Sequence, residues 1–186
     1  MTKNKGSWSL ALLETMKDPL YRVISSEIAV VIKDKFPKAK YHFLILPYED
    51  IPTVFHLTSS ERHLKLMDEL ELLAKNVVEV TGLNSNIFQV GYHSSPSMQR
   101  LHLHVISNDY NSPCLKTKIH WNSFNTKFFW DVKYVHKEIR RNGKVNKPNP
   151  DISKQLLATE LRCHKCDFRP KNMPELKQHL LSHITC

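Results

Sequence analysis

The chain has 186 residues, 41% hydrophobic and 24% charged, enough for one sizeable core and a small appended module. No apolar run reaches the roughly 18 residues of a membrane span, which argues against a membrane partner, and four glycines leave little scope for glycine-rich phosphate loops. Residues 1–110 hold twelve basic and twelve acidic side chains and residues 111–186 fifteen and six; the whole +9 excess therefore lies in the C-terminal part and suggests a polyanion such as nucleic acid, with a solubilising basic tail as the alternative.

Residues 8–16 are too short and too polar-flanked for a signal peptide. A reducing compartment is expected, in which the four cysteines are metal ligands or thiols rather than a disulfide framework. Leu10, Leu13 and Met16 at helical spacing predict a helix over residues 9–17, ended by Asp18-Pro19. Strand-like runs follow at 21–25, 28–32 and 41–46, the last closing at Pro47, with Asp34-Lys35-Phe36-Pro37-Lys38 as the hairpin loop between the second and third. Thr58-Ser59-Ser60-Glu61 reads as a capping box opening a long helix that stops near Gly82, with Leu66, Leu70, Leu73, Val77 and Val80 as its apolar stripe. Further strands are expected around 86–92 and 101–107, then a short basic helix over 131–141. Gly143 to Asp151, with Pro148 and Pro150, reads as linker. The expected architecture is α+β: a mainly antiparallel sheet with helices over residues 1–145, a linker at 146–156, and a second unit at 157–186.

In that second unit Cys163, Cys166, His179 and His183 are spaced C-x2-C-x12-H-x3-H. Two thiolates on a tight turn and two imidazoles one helical turn apart supply four tetrahedral ligands, so a structural Zn²⁺ in a C2H2 zinc finger is expected. A helix at Met173–Leu181 would put both histidines on one face, with Leu176 plugging the small core. Pro170 stands where such fingers usually carry an aromatic, and Phe168 is the nearest substitute. Arg162, Lys165, Arg169, Lys171 and Lys177 surround the ligands and favour contact with phosphate over a finger that only staples the terminus.

The run Leu101-His102-Leu103-His104-Val105-Ile106 alternates strictly. In a strand His102 and His104 share one face, and Leu101, Leu103 and Val105 turn into the core. Two imidazoles side by side suit a hydrogen-bonded structural pair, a metal site or catalysis. The polar loop from Gly91 to Arg100 feeds directly into this strand.

This strand resembles the signature of the histidine-triad superfamily, His-φ-His-φ-His-φ-φ with φ apolar. His102 matches the middle, nucleophilic histidine and His104 the third; Arg100 stands at the first position. Ile32-Lys33-Asp34 and His42-Phe43-Leu44-Ile45-Leu46-Pro47 resemble the superfamily's nucleoside-binding strand pair. Trp8-Ser9, Asp34 to Ala39, Gly91-Tyr92-His93 with Pro96-Ser97-Met98, Ser112 to Lys116 and His120 to Asn125, together with the joined finger, are similar to the aprataxin family. The resemblance covers the region that follows the forkhead-associated domain some members carry.

The resemblance implies a DNA 5′-adenylate hydrolase. His102 would attack the AMP phosphorus and form a covalent His–AMP intermediate, releasing a 5′-phosphate end and then AMP. His93 would protonate the leaving phosphate, and His104 and Ser97 would bind non-bridging oxygens. Asp34 would accept from the ribose hydroxyls, with Lys35, Phe36, Pro37, Lys38 and Met98 completing the nucleotide and DNA contacts. Thr15 matches a family DNA contact. A basic contact of the family falls on Ile119, for which the adjacent Lys118 is the substitute. DNA is the implied partner, with a place in single-strand break repair in the nucleus. Two other readings remain: a general histidine-triad hydrolase of nucleoside phosphoramidates or dinucleoside polyphosphates, and a non-catalytic DNA-binding adaptor. Arg100 is expected either to approach the active-site phosphates or to face solvent at the start of its strand.

Overall fold

The computed structural model describes residues 6–183, and side chains from residue 12 onward; the side chains of Trp8, Ser9 and Leu10 lie outside that description. In chain order the elements are α1 (Gly6–Lys17), β1 (Arg22–Ser25), β2 (Ala29–Lys33), β3 (His42–Pro47), α2 (Glu61–Val80), β4 (Phe88–His93), β5 (Leu103–Ser107), α3 (Lys118–Asn125), β6 (Phe129–Asp131), α4 (Val132–Asn142), α5 (Pro150–Ala158) and α6 (Met173–Leu181). Six strands form one sheet in the order β1-β2-β3-β5-β4-β6, and every neighbouring pair is antiparallel.

Alternation along the central strands divides the interior between the two faces of the sheet. Ala29 and Val31 of β2, Phe43 and Ile45 of β3, and Leu103 and Val105 of β5 pack against α2 and α4. Val30, Ile32, Leu44 and Leu46 turn to the opposite face, which α1 covers through Leu12 and Met16. With both faces buried, β2 and β3 read as continuous apolar runs.

Helix α2 carries the buried stripe Leu66, Met67, Leu70, Leu73, Ala74, Val77 and Val78. Val80, expected in that stripe, is 67% exposed in the last turn. The N-cap is Ser60, whose side chain accepts from the His63 amide, so the helix starts two residues later than a box opened by Thr58 would place it. Thr58 contributes differently, since its amide donates to His63 Nδ1 at 3.0 Å. At the sheet's far edge a Cβ on Gly91 would lie 2.1 Å from the Trp130 carbonyl oxygen. Only glycine lets β6 close onto β4 there.

The stretch read as linker is in part helical. Asn149 caps α5 by accepting from the Asp151 amide at 2.8 Å, and Pro150 occupies the first turn. Proline there is a helix-start signal rather than a linker signal. The buried Asn122 of α3 then donates to the carbonyls of Leu157 and Thr159 at 2.9 and 2.7 Å, satisfying the far end of α5. The finger that follows shares a core with the sheet domain: Leu161, Met173, Leu176 and Leu180 pack with Ala39, Ile106, Tyr110, Leu115, Trp121 and Phe124. Polar contacts reinforce that seam, with Trp121 Nε1 donating to the Arg162 carbonyl, Lys177 Nζ donating to the Ser112 carbonyl and His164 Nε2 contacting the Asn108 carbonyl.

Candidate active site and zinc centre

His102 precedes the first residue of β5 and His104 lies within it, on the face opposite Leu101, Leu103 and Val105. Both open into a cavity of about 650 Å³. Asp34, Phe36 and Lys38 enter it from the β2–β3 loop, His42 from β3, His93 from the end of β4, and Ser97 and Met98 from the loop beyond. Eight residues singled out in the sequence thus meet in one cavity: Asp34, Phe36, Lys38, His93, Ser97, Met98, His102 and His104. Others stay outside it. Lys35 is exposed on the loop, while the Pro37 carbonyl accepts from Ser112 Oγ at 2.6 Å and braces the loop from behind. Thr15 is buried in α1. Near α3 the cavity is lined by Lys116, Ile119 and His120; Lys118 is half-buried and not among the lining residues.

Hydrogen bonds assign the imidazole protons. His102 Nδ1 lies 2.6 Å from the Arg100 carbonyl oxygen, which can only accept, so Nδ1 carries the hydrogen and Nε2 keeps its lone pair. The Lys38 amide donates to His42 Nδ1 at 3.1 Å. That leaves His42 with its hydrogen on Nε2, which donates to His104 Nδ1 at 3.0 Å. Asp34 Oδ2 also stands 3.4 Å from His42 Nδ1, but the nearer amide donor decides the tautomer. His104 therefore presents Nε2–H, and this atom and His93 Nε2 are both buried without a partner. An orphaned polar atom at such depth is costly unless a ligand completes it.

Burial also keeps these rings neutral. It lowers the His102 pKa, and the hydrogen bond to the Arg100 carbonyl and the Asp34 charge offset it only in part. His93 and His104 are held well below the ordinary histidine value, first by burial and then by their histidine neighbours and Lys38. His42 is lowered to about 4 by burial, against the opposing pull of Asp34. At neutral pH the cavity thus offers one imidazole lone pair beside neutral donors.

The finger ligands converge as well. Cys166 Sγ lies 3.2 Å and Cys163 Sγ 3.4 Å from the Nε2 atoms of His179 and His183 respectively, and those two nitrogens are 3.1 Å apart. A tetrahedron with Zn–S near 2.3 Å and Zn–N near 2.0 Å has edges of roughly 3.3–3.8 Å, so the four side chains fit zinc. The ion would tie the Cys163–Cys166 turn to α6. Phe168 stacks on His179 with ring centroids 4.1 Å apart, filling the place vacated by the aromatic that Pro170 replaces. Residues 161–172 form no strand; one backbone bond, Cys163 amide to Phe168 carbonyl, closes the ligand turn.

Residues 7–120 match the family described as "Scavenger mRNA decapping enzyme C-term binding", and residues 125–186 match the C2HE / C2H2 / C2HC zinc-binding finger. The chain is 51% identical to an aprataxin-like protein of Drosophila melanogaster over 96% of its own length, spanning 27% of that protein. It is 32% identical to the aprataxin-like protein of Saccharomyces cerevisiae, with 94% of each chain covered. The chain belongs to the aprataxin family. Its fold is also that of the aprataxin ortholog Hnt3 solved in complex with DNA, at a TM-score of 0.69 and 22% identity over 98% of this chain and 96% of that one. Against the fruit-fly relative, the chain spans about a quarter of the protein.

Several cavity residues have no role assigned in the sequence, although His42 stands in the strand pair that resembles the nucleoside-binding one. His42 is the plainest: strand alternation already put it on the face of Leu44 and Leu46, and pairing of Leu44 with His104 brings that face beside the histidine strand. Phe124 stood in a run similar to the family but without a role of its own, and Phe128 and Leu157 had no local signal, because they reach the cavity only through packing. Arg100 meets neither expectation held for it. Its side chain is 5% exposed and turns away from the cavity onto Pro47, Tyr48 and Asp50.

Proposed function

We propose that the chain is a DNA 5′-adenylate hydrolase, which removes AMP from 5′-adenylated ends left by abortive ligation. The observation that carries this reading is the 2.6 Å contact between His102 Nδ1 and the Arg100 carbonyl, which leaves Nε2 as a nucleophile in a cavity where His93 and His104 hold unpartnered nitrogens. His102 Nε2 attacks the AMP phosphorus, a P–N bond forms, and the anhydride P–O bond breaks toward the DNA 5′-phosphate. The Nδ1–H stays on the Arg100 carbonyl, which stabilises the cationic nucleotidyl-imidazole. His104 Nε2–H and Ser97 stabilise the non-bridging oxygens. The negative charge of the bound pyrophosphate raises the basicity of His93, which delivers a proton to the leaving phosphate. Water then attacks the same phosphorus and gives its proton to His93, which is thereby restored; the P–N bond breaks, AMP leaves, and Nε2 recovers its lone pair.

The preference for DNA over a free nucleotide rests on how the finger joins the cavity. Leu157, just ahead of the finger, lines the cavity, and Lys177 of α6 holds the Ser112 carbonyl beside the Cys114–Lys116 wall. A polyanion leaving the cavity past Lys116 meets the basic C-terminal part, whose charge favours phosphate contact. The substrate belongs with ligation of nuclear DNA, so we place the protein in the nucleus.

The test is incubation with a nicked duplex carrying a 5′-adenylate. Release of AMP, appearance of a ligatable 5′-phosphate and transient acid-labile AMP on the wild-type protein support the reading. Turnover of dinucleoside polyphosphates or phosphoramidates in preference to adenylated DNA overturns it in favour of a general nucleotide hydrolase.

A further inference from the structure

The lone pair of His102 depends on one carbonyl, and the sheet does not hold that carbonyl in place. The β3–β5 ladder ends at the pair Ile45–Leu103 and the β4–β5 ladder at Gly91–His104. Residues 100–102 therefore lie beyond the last strand pairing on either side. What fixes them is a clasp on the segment that leaves β3. Arg100 Nη2 donates to the carbonyls of Pro47 and Tyr48 at 3.1 and 3.0 Å, and Nη1 donates to Asp50 Oδ1 at 3.1 Å. The Leu101 amide donates to the Ile51 carbonyl at 2.7 Å.

We propose that Arg100 is a positioning residue for the nucleophile: its guanidinium, clasped by the 47–50 segment, holds its own carbonyl against His102 Nδ1 and so decides which imidazole nitrogen is free to attack. This inference rests on the reading of His102 as the nucleophile.

The guanidinium suits the task. Its planar fork reaches two adjacent carbonyls with one nitrogen and a carboxylate with the other, an arrangement a single ammonium cannot reproduce. The carbonyl contacts form the stronger part of the clasp, because Asp50 is largely exposed and its charge is screened. Arg100 Nε is buried without an acceptor. At the first motif position the cation therefore acts backward, through the main chain, and does not touch substrate.

The experiment uses the full zinc-loaded chain with Arg100→Met and Arg100→Lys. In the wild type, nitrogen-15 NMR should show His102 as a single tautomer with its hydrogen on Nδ1. Arg100→Met should give a mixture of both tautomers, and kcat on adenylated DNA should fall on the order of 10–100-fold with KM changing less than about threefold, as for loss of a group that orients a catalytic histidine. Arg100→Lys, which keeps the charge in the same pocket, should fall between the two. A pure Nδ1–H tautomer in Arg100→Met with kcat within about twofold of wild type overturns the proposal, and so does a loss carried by KM alone, which would place the guanidinium on a phosphate. If the wild type released no AMP from adenylated DNA while Arg100→Met still shifted the tautomer, the substrate reading would fail and the positioning role would stand.

Discussion

Two clusters of imidazoles sit in this molecule, and they use the same nitrogen for opposite purposes. In the finger, the Nε2 atoms of His179 and His183 converge on two thiols with no other partner to claim them, and the lone pairs point to one centre. Around β5, His93, His102 and His104 also bring their ring nitrogens within 4.8 Å of one another. There, however, the Arg100 carbonyl and the chain from the Lys38 amide through His42 assign the hydrogens in advance. One ring offers a lone pair and a neighbour offers N–H, so a cation shared among them would require His104 to change tautomer. Proximity of ligand atoms is common to both clusters; the source of the protons separates a metal centre from a nucleophile with its donors.

The largest effect should come from breaking the nucleophile. His102→Ala should lower single-turnover AMP release from adenylated DNA by at least about 10⁴-fold, since other groups cannot replace a nucleophile that forms the covalent bond. The acid-labile AMP adduct should vanish with it. An adduct that persists in the variant would assign the lone pair to another ring. The same substitution should leave zinc content unchanged, as measured by metal analysis, because the two clusters share no ligand.

Zinc removal probes the other cluster and should spread further. The finger packs on Tyr110, Trp121 and Leu115, so stripping the ion exposes part of a core that the sheet domain also uses. A strong chelator, or Cys166→Ala, should destabilise the chain by about 3 kcal/mol or more. Thermal melting should then drop by roughly 6–12 °C. DNA affinity and catalysis should decline together, since α5 and the 112–116 segment lose their support. Catalysis unchanged after complete zinc loss would mean that the finger is an independent appendage.

Acid acts on the histidines buried around β5. The buried histidines have folded pKa values below the unfolded value near 6.5, so the unfolded chain takes up protons first. Stability from this source is fully present above pH 6.5. It is lost as pH falls toward each folded value, which for His42 means down to about 4. Each such histidine adds a slope of up to about 1.4 kcal/mol per pH unit in that window. Urea denaturation midpoints between pH 7 and 5 should show the decline. Glutamine at position 42 should flatten the slope by up to one histidine's share, and no change in slope would remove His42 from the account.

The parts of this molecule legible in its sequence are those governed by local periodicity. The alternation around His102 and His104 sent the leucines to the α2 core and the histidines to the cavity. The metal-ligand spacing correctly anticipated a converging Cys2His2 set. Contacts distant in sequence were not legible. His42 gains its role only when Leu44 pairs with His104, and Arg100 acquires partners more than fifty residues away. Proline misled at position 150, where Asn149 makes it the opening of a helix. Basic residues near the finger suggested phosphate contact but gave no sign of the apolar residues between them, which fasten the finger to the sheet domain.

Asn122→Ala tests the seam between the regions with the smallest change. The side chain is buried in α3, one turn from the cavity residues Ile119 and His120, and its amide donates to both Leu157 and Thr159 carbonyls at the end of α5. Alanine would leave two carbonyls without donors in a place where water enters poorly, at a cost of about 1–3 kcal/mol. The local consequence reaches the site, because Leu157 lines the cavity and would lose its anchor. Catalysis should weaken by a few-fold, through KM more than kcat, since the nucleophile and its tautomer are set by residues 100–102 and the segment that leaves β3, which Asn122 does not touch. Zinc affinity should fall little, because the ligands come after Leu161 and carry their own turn. A variant with normal stability and normal KM would show that α5 is held by the finger alone, and that the active-site wall and the metal centre meet only through the aromatic core of Tyr110 and Trp121.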